Sequence, residues 1–466
     1  MRADNGPYTA EEIVQACQGT LLYGDPQAAF QAISTDSRDI KDNDLFVPLK
    51  GTSFDGHEFL FPALEAGARG SLVDREAIRE IHKNLSNFVL IQVQDTLLAL
   101  SDLASAHRKK YPVPLIAVTG SSGKTTVKEM IAAVLRQSHH PLVSEGNLNN
   151  MVGLPMTVLN LGPQHSIAVV EAGINRNGEM DCLARAASPD VAVITTIGPV
   201  HLEGLCSIEN VAKEKFKLVE RLSARGTAVV PAENPYLQPL FRETSCDIVT
   251  FGLEQGDFRA ENIRYGVETT FEMKSPFGSQ EIRLQIPGQH NIANALAAAA
   301  ACSAAGVGLS DVIRSLSRFS SPAWRMEILS LRGNRTLIRD CYNANPQSMR
   351  AALEVLAGRG TGSRTLAILA DMAELGDQSA KLHQEVGREA ARLGIDRLVF
   401  VGANGRFFAD GYVAAGGDAN AVTVAADKES AWNVIGPDLE KFGSILVKGS
   451  RLMKMETVAD RILEEN

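Results

Sequence analysis

The stretch that most restricts the fold is Leu115-Ile116-Ala117-Val118-Thr119 followed by Gly120-Ser121-Ser122-Gly123-Lys124-Thr125-Thr126. An apolar strand runs into a glycine-serine loop, and the loop opens a helix expected to continue to about Gln137. A strand buried on both faces belongs in a covered parallel sheet, and a loop of this composition between strand and helix is built to cradle phosphate. The glycines let backbone N–H groups turn toward anionic oxygens, and the helix start adds roughly half a positive charge. Lys124 is placed to reach the β- and γ-phosphates of a nucleoside triphosphate, and Thr125 to offer its hydroxyl to Mg2+. Only the second half of the general phosphate-loop pattern is present, because Val118 stands where its first glycine would be. The plainer reading is a glycine-rich turn with a solvated lysine; strand before and helix after favour the phosphate cradle.

The same alternation of short apolar runs and helices extends along the chain. Runs at Ile167 to Val170, Val191 to Thr195 and Thr227 to Val230 read as further strands of that sheet. Strands at Thr336 to Ile338, Leu366 to Leu369, Leu398 to Val401 and Ile445 to Val447 predict a second α/β sheet without a phosphate loop of its own. Near the N-terminus, Thr9 to Cys17 reads as a helix capped by Thr9, and Asp44 to Leu49 as a strand. Tyr111-Pro112-Val113-Pro114 is a stiff junction, since each proline holds its predecessor extended, and Ser320-Ser321-Pro322 marks a second. With 466 residues, a prior of about three domains follows. The expected fold is α/β in three units: residues 1–111, a small α/β domain; 112–320, a phosphate-loop parallel-sheet domain; and 321–466, a Rossmann-like domain.

Composition narrows the partners. The formal charge of −9 argues against nucleic acid or an anionic membrane, though not against anionic substrates held in a local basic pocket. The N-terminal stretch has an early aspartate and no apolar core, so it does not read as a secretory leader, and no apolar run is long enough to span a bilayer. The six scattered cysteines read as reduced thiols in a cytoplasmic protein.

Two polar residues follow strand ends in the phosphate-loop unit. Glu171 closes Ile167-Ala168-Val169-Val170, and His201 follows the Val191 run through Ile197-Gly198-Pro199. Strand C-termini in a parallel sheet face one crevice, so both converge on the loop. There Glu171 can bind Mg2+ beside the γ-phosphate and His201 can serve a second ion or its water. Taken singly, the plainer readings prevail: Glu171 as a helix-capping carboxylate and His201 as a satisfied half-buried imidazole.

The phosphate loop, Gly146-Asn147-Leu148-Asn149-Asn150-Met151-Val152-Gly153-Leu154-Pro155, Glu171-Ala172-Gly173 and Ile197-Gly198-Pro199-Val200-His201-Leu202 together resemble the Mur ligases of peptidoglycan synthesis. Further segments are similar to those members that join D-alanyl-D-alanine to UDP-N-acetylmuramoyl-tripeptide. These are Gly288-Gln289-His290-Asn291-Ile292-Ala293-Asn294, Asp340-Cys341-Tyr342-Asn343-Ala344-Asn345-Pro346, Asp371-Met372-Ala373-Glu374-Leu375-Gly376 and Val447-Lys448-Gly449-Ser450-Arg451. Ser34 to Arg38, Asp44 to Gly51 and Phe54 to His57 resemble the uridine-diphosphate-binding domain of the same ligases. The likeness covers nearly the whole chain in order.

The resemblance implies roles. Ser37 and Arg38 would hold the uridine-diphosphate end, and Asn149 and Asn150 would lie near the sugar-peptide. Asn291, with His290 beside it, would contact adenine; the plainer reading of Asn291 is a helix N-cap. Arg325 would cross to the phosphates, against a plainer reading as a surface ion pair with Glu327. Asp340 would bind the ATP ribose, alone, because Arg339 stands where many relatives carry another carboxylate. Asn345, Lys448 and Ser450 would border the dipeptide. Lys215 resembles a lysine carbamylated by CO2, whose new negative charge helps hold a second Mg2+; Lys213 is an alternative occupant, and a solvated helical lysine the plainer reading. The implied activity is an amide ligation with ATP and two Mg2+ ions. The acid attacks the γ-phosphorus, Lys124 and Arg325 neutralise the developing charge, and the dipeptide amine then displaces phosphate from the acyl phosphate. A monomer is expected. Rivals are another carboxylate–amine ligase, such as a tripeptide-stage Mur enzyme or a folate polyglutamylating enzyme, and an ATP-driven switch.

Overall fold

The computed structural model describes residues 1–51, 53–75, 88–265, 268–360 and 362–465. Three large sheets organise them. The N-terminal sheet has six short strands, in the order Arg2–Ala3, Ile33–Ser34, Leu45–Phe46, Gly70–Val73, Val89–Gln92 and Thr20–Tyr23. Its inner strands are parallel and both edges antiparallel. The strand expected over Asp44 to Leu49 is paired only at Leu45–Phe46. Asp44 leaves the ladder to accept a bidentate pair from the Arg2 guanidinium at 2.6 and 2.9 Å. The first helix, Ala10–Cys17, begins as its sequence requires: Thr9 accepts from the Glu12 N–H and the Glu12 carboxylate accepts from the Thr9 N–H.

The central sheet has nine strands. Pro141–Val143, Ile167–Glu171, Leu115–Thr119, Val191–Ile194, Thr227–Pro231, Asp247–Gly252 and Phe258–Arg264 run parallel. Leu115–Thr119, Ile167–Glu171 and Val191–Ile194 are buried at every position, as β-branched strands covered by helices on both faces should be. From Leu115–Thr119 the chain goes first to one side and later to the other, so the direction of winding reverses there. That reversal opens a crevice beyond the carboxyl ends of these three strands. Two antiparallel strands, Thr269–Ser275 and Gly278–Leu284, extend the sheet beyond the parallel core that the sequence predicts. The buried helix Gln289–Ala304 packs beside Lys124–Leu135; its run of alanines brings its axis close to its neighbours.

The C-terminal sheet has six strands in the order Glu327–Leu331, Arg335–Arg339, Ser444–Lys448, Thr365–Ala370, Arg397–Val401 and Val422–Ala425. It is parallel except for the first strand, an antiparallel edge that the sequence pattern does not announce. All six cysteines are free thiols, four of them buried. Among the described residues no helix is long and apolar enough to cross a membrane.

Candidate active site

The phosphate loop leaves Thr119 at the end of its strand and enters the helix Lys124–Leu135 with Gly123 at the cap, where no side chain satisfies the first N–H groups. Those N–H groups point outward as anion donors. Gly120 has φ +149°, and a Cβ there would lie 1.9 Å from Thr195 Oγ1. The neighbouring strand end grips the loop: Ser121 Oγ donates to the Gly198 carbonyl at 3.1 Å and accepts the Gly198 N–H at 3.0 Å, while the Thr195 hydroxyl donates to the Ser122 carbonyl. Lys124 Nζ folds back onto the Gly120 carbonyl at 2.9 Å. Its pKa lies below the ordinary lysine value because burial disfavours the charge; Glu171 opposes that effect and Arg325 reinforces it.

Glu171 ends its strand 2 % exposed. One carboxylate oxygen accepts the Thr125 hydroxyl at 2.7 Å and the other the Asn149 amide at 2.8 Å. It caps no helix, so the plainer reading of this residue is corrected. Asn149 lies against Glu171, whereas Asn150 turns away and accepts the N–H groups of Val152 and Gly153 at the start of the helix Gly153–Leu159. Asn150 is thus employed as a local cap.

Lys215 lies on the helix Ile208–Glu220, which Ser207 caps, and is fully buried. Its Nζ has no hydrogen-bond partner. Burial drives its pKa well below the ordinary value; Lys124 pushes the same way, and Glu171 and Glu214 oppose. Burial thus shifts this amine toward its neutral form. Lys213 is exposed on the same helix, which removes it as an alternative to this buried position.

The C-terminal unit closes over the loop. Asn345 caps the helix Pro346–Arg359 through its Oδ1 and donates Nδ2 to the Ser121 carbonyl at 3.2 Å. Gln347 Nε2 donates to the Ile197 carbonyl at 3.2 Å, so close to Gly198 that a Cβ there would lie 2.3 Å from the Gln347 amide carbon. Arg325 stacks its guanidinium 3.9 Å from the centre of the Tyr342 ring, near enough to Lys124 to affect its titration. It is not paired with Glu327, whose carboxylate receives Arg339 at 2.9 Å; that plainer reading is corrected.

Asp340 holds Lys448 Nζ at 2.7 Å through one oxygen and the Met326 N–H at 3.0 Å through the other. Lys448 also donates to the Asn343 carbonyl at 3.0 Å. His290 titrates under the influence of both: burial lowers its pKa to about 4, with Asp340 opposing and Lys448 reinforcing. Asn291 lies inside the helix that Gly288 caps, and its amide donates to the Pro287 carbonyl at 2.7 Å while Oδ1 accepts from Asn294 at 3.1 Å. Its reading as the N-cap is therefore corrected. Ser450 is 1 % exposed, and its hydroxyl has no partner.

Sequence reasoning assigned no role to Glu374. The loop after Thr365–Ala370 carries it to His201, whose Nδ1 it binds, and this hydrogen bond holds the glutamate below its ordinary pKa. Both residues have left-handed backbone, φ +51° at His201 and +60° at Glu374. The signal was a carboxylate in a loop leaving a strand end. Of the predicted site residues, Ser37 and Arg38 lie in the N-terminal unit, where Arg38 is exposed and paired with Asp36 at 2.7 Å. Phosphate-loop, Glu171, Asn149 and Lys215 groups gather in the central crevice, and Arg325 and Asn345 come in from the C-terminal side.

A phosphate loop at the winding reversal of a parallel sheet, closed by a second α/β unit, defines a nucleotide-dependent enzyme of the Mur type, and the chain belongs to the Mur ligase family. Three family descriptions match in order: "Mur ligase family, catalytic domain" over residues 29–108, "Mur ligase middle domain" over 118–302, and "Mur ligase, glutamate ligase domain" over 324–451. Within the family it is similar to UDP-N-acetylmuramoyl-tripeptide–D-alanyl-D-alanine ligase of Escherichia coli, 37 % identical over 96 % of this chain and 97 % of that one. The Bacillus subtilis ligase of the same name is 34 % identical over 98 % of each. A crystal structure of MurF from Acinetobacter baumannii superposes with TM-score 0.89 at 33 % identity, covering 98 % of this chain and 99 % of that one. A MurF ligase from Thermotoga maritima, solved in complex with ADP, shares the fold with TM-score 0.82 at 24 % identity, covering 93 % and 97 %.

Proposed function

We propose that this chain is an ATP-dependent ligase that joins D-alanyl-D-alanine to UDP-N-acetylmuramoyl-tripeptide through an acyl phosphate, giving the pentapeptide precursor of peptidoglycan. One observation carries the chemistry: the phosphate loop with Lys124 lies where the C-terminal unit delivers Arg325 and Asn345. The full-length likeness to ligases of that name supports the substrate pair.

Two anions must meet before reaction, the tripeptide carboxylate and the γ-phosphate. Lys124, Arg325 and the loop N–H groups offset that repulsion and the charge that grows on the equatorial oxygens. The carboxylate oxygen bonds to the γ-phosphorus as the bond to the β-γ bridging oxygen breaks, and ADP leaves. The dipeptide amine, once deprotonated, attacks the acyl carbon; the C–N bond forms, the C–O bond breaks, and phosphate departs with the electron pair. Closure of the two units keeps water from the acyl phosphate.

The residues present fit Mg2+. Thr125 and Glu171 supply hard oxygen donors, and the hydrogen-bonding partners of the Glu171 carboxylate are both neutral. His201, through Nε2, and Lys215, as its carbamate, are the candidates for a second ion. Bound Mg2+ would neutralise phosphate charge and align the terminal phosphoryl group. On this reading residues 1–111 receive the uridine-diphosphate end through Ser37 and Arg38, 112–320 bind ATP with Asn291 at adenine, and 321–466 supply Asp340 to the ribose and Asn345, Lys448 and Ser450 to the dipeptide. The enzyme acts as a cytoplasmic monomer.

A coupled assay of ADP release, with mass spectrometry of the product, tests the reading. ADP should form only when both tripeptide nucleotide and D-alanyl-D-alanine are present, with one amide made per ADP. Equal ATP hydrolysis without either peptide substrate would mark a switch instead.

A further inference from the structure

The groups that converge on the phosphate loop are mainly cations suited to phosphate, yet the second substrate proposed above arrives as an ammonium. An ammonium needs a carboxylate, and most of those around the cleft are committed. Both oxygens of Glu171 are held by Thr125 and Asn149. Asp340 is locked between Lys448 and the Met326 N–H. Asp371 accepts the N–H groups of Ala403 and Asn404 at 2.9 and 3.0 Å, in the loop before the helix Gly405–Ala414.

Glu374 differs. Its side chain is 47 % exposed, and its partner is a single imidazole nitrogen of His201. It keeps a left-handed backbone, φ +60°, which non-glycine residues adopt only at a cost. That conformation points it across the junction toward the segment Gly198 to His201, whose first residue holds Ser121 of the phosphate loop. The loop that carries Glu374 also borders Ser450, tied to it by the Ser450 N–H on the Asp371 carbonyl at 3.1 Å, with a buried hydroxyl that has no partner. A half-exposed carboxylate with one partner and a buried hydroxyl with none thus flank one loop.

We infer that Glu374 receives the ammonium of the incoming D-alanyl-D-alanine and so sets the preference for an amine at that end. The inference rests on the ligase reading above. Glu203 is the competing carboxylate: it lies beside Gly376 on the facing helix, its Cγ 3.5 Å from where a Cβ on Gly376 would be.

Steady-state kinetics on the full-length enzyme decide between them. Glu374→Gln preserves shape and removes charge. It should raise KM for D-alanyl-D-alanine about 10- to 100-fold, the loss of one charge-assisted hydrogen bond, with KM for ATP and the tripeptide nucleotide within about 2-fold. D-lactyl-D-alanine, with a hydroxyl in place of the ammonium, should inhibit wild type and Glu374→Gln with the same Ki. Glu203→Gln should leave the dipeptide KM as in wild type. The inference is overturned by an unchanged dipeptide KM in Glu374→Gln, by a rise in Glu203→Gln instead, or by a parallel rise in the Ki of the neutral analogue. Wild-type enzyme that shows no dipeptide-dependent turnover would defeat the ligase reading itself, a separate result.

Discussion

Asn345 does two things at once: its Oδ1 accepts the Ser348 N–H at 2.8 Å, starting a C-terminal helix, and its Nδ2 reaches the Ser121 carbonyl, 224 residues earlier, at 3.2 Å. Helix initiation in one unit is thereby tied to the shape of the phosphate loop in another. The two functions separate by substitution. Asn345→Ala should lose about 0.5–2 kcal/mol from the missing cap, seen as a lower melting temperature. Asn345→Asp keeps the cap but turns a donor into an acceptor facing a carbonyl. It should melt close to wild type yet raise KM for ATP about 3- to 10-fold.

Gly120 tests the loop from within. At φ +149° its missing side chain leaves room for the Thr195 hydroxyl, 1.9 Å from where a Cβ would stand. Gly120→Ala should displace Thr195 from the Ser122 carbonyl and weaken binding of a non-hydrolysable ATP analogue by at least about 10-fold, measured by calorimetry, with the far-ultraviolet circular dichroism unchanged.

Lys215 should carry a chemical mark. A buried amine without a hydrogen-bond partner, its pKa driven well below the ordinary value, can add its nitrogen to the carbon of CO2 with loss of a proton. In 13C-bicarbonate the wild-type protein should show a carbamate carbon resonance that Lys215→Ala lacks, and that variant should lose about 100-fold or more in kcat. A spectrum identical in both proteins would remove the carbamate from the scheme.

Acid should destabilise the protein through two of its histidines. His290 and His383 both have folded-state pKa values below the ordinary 6.5, chiefly from burial, with His290 near 4. His383 is fully enclosed, accepting the Met372 N–H at 3.1 Å through Nε2. Between about pH 6.5 and 4 the unfolded chain binds protons that the folded chain refuses, so stability is present above that window and falls as pH drops through it. Urea midpoints measured from pH 7.5 to 5 should decline, and His290→Gln should flatten the decline.

The central crevice was largely legible because its chemistry is local. Glycine, lysine and threonine at fixed offsets after an apolar strand specify the loop, and Glu171 at the end of its own strand needs only sheet topology to reach Thr125. The short antiparallel strands Thr269–Ser275 and Gly278–Leu284 were harder to read, since they mix polar and apolar residues on a half-covered edge and lack the continuous apolar run that marked the parallel strands. Contacts between units were out of reach. Nothing near Glu374 in the chain names His201 as its partner, 173 residues away. Arg325 could be placed against Glu327 by proximity alone, whereas the fold gives Glu327 to Arg339 and turns Arg325 onto Tyr342.

The fasteners that Asn345 and Gln347 make on the central unit both end on main-chain carbonyls, those of Ser121 and Ile197. A peptide oxygen survives every amino-acid replacement, so the receiving half of this clasp is indifferent to mutation of its own side chains. Of the ties across the junction, these two depend on a side chain from one half only, at positions 345 and 347, whereas the bond of Glu374 to His201 can be lost by a change at either end.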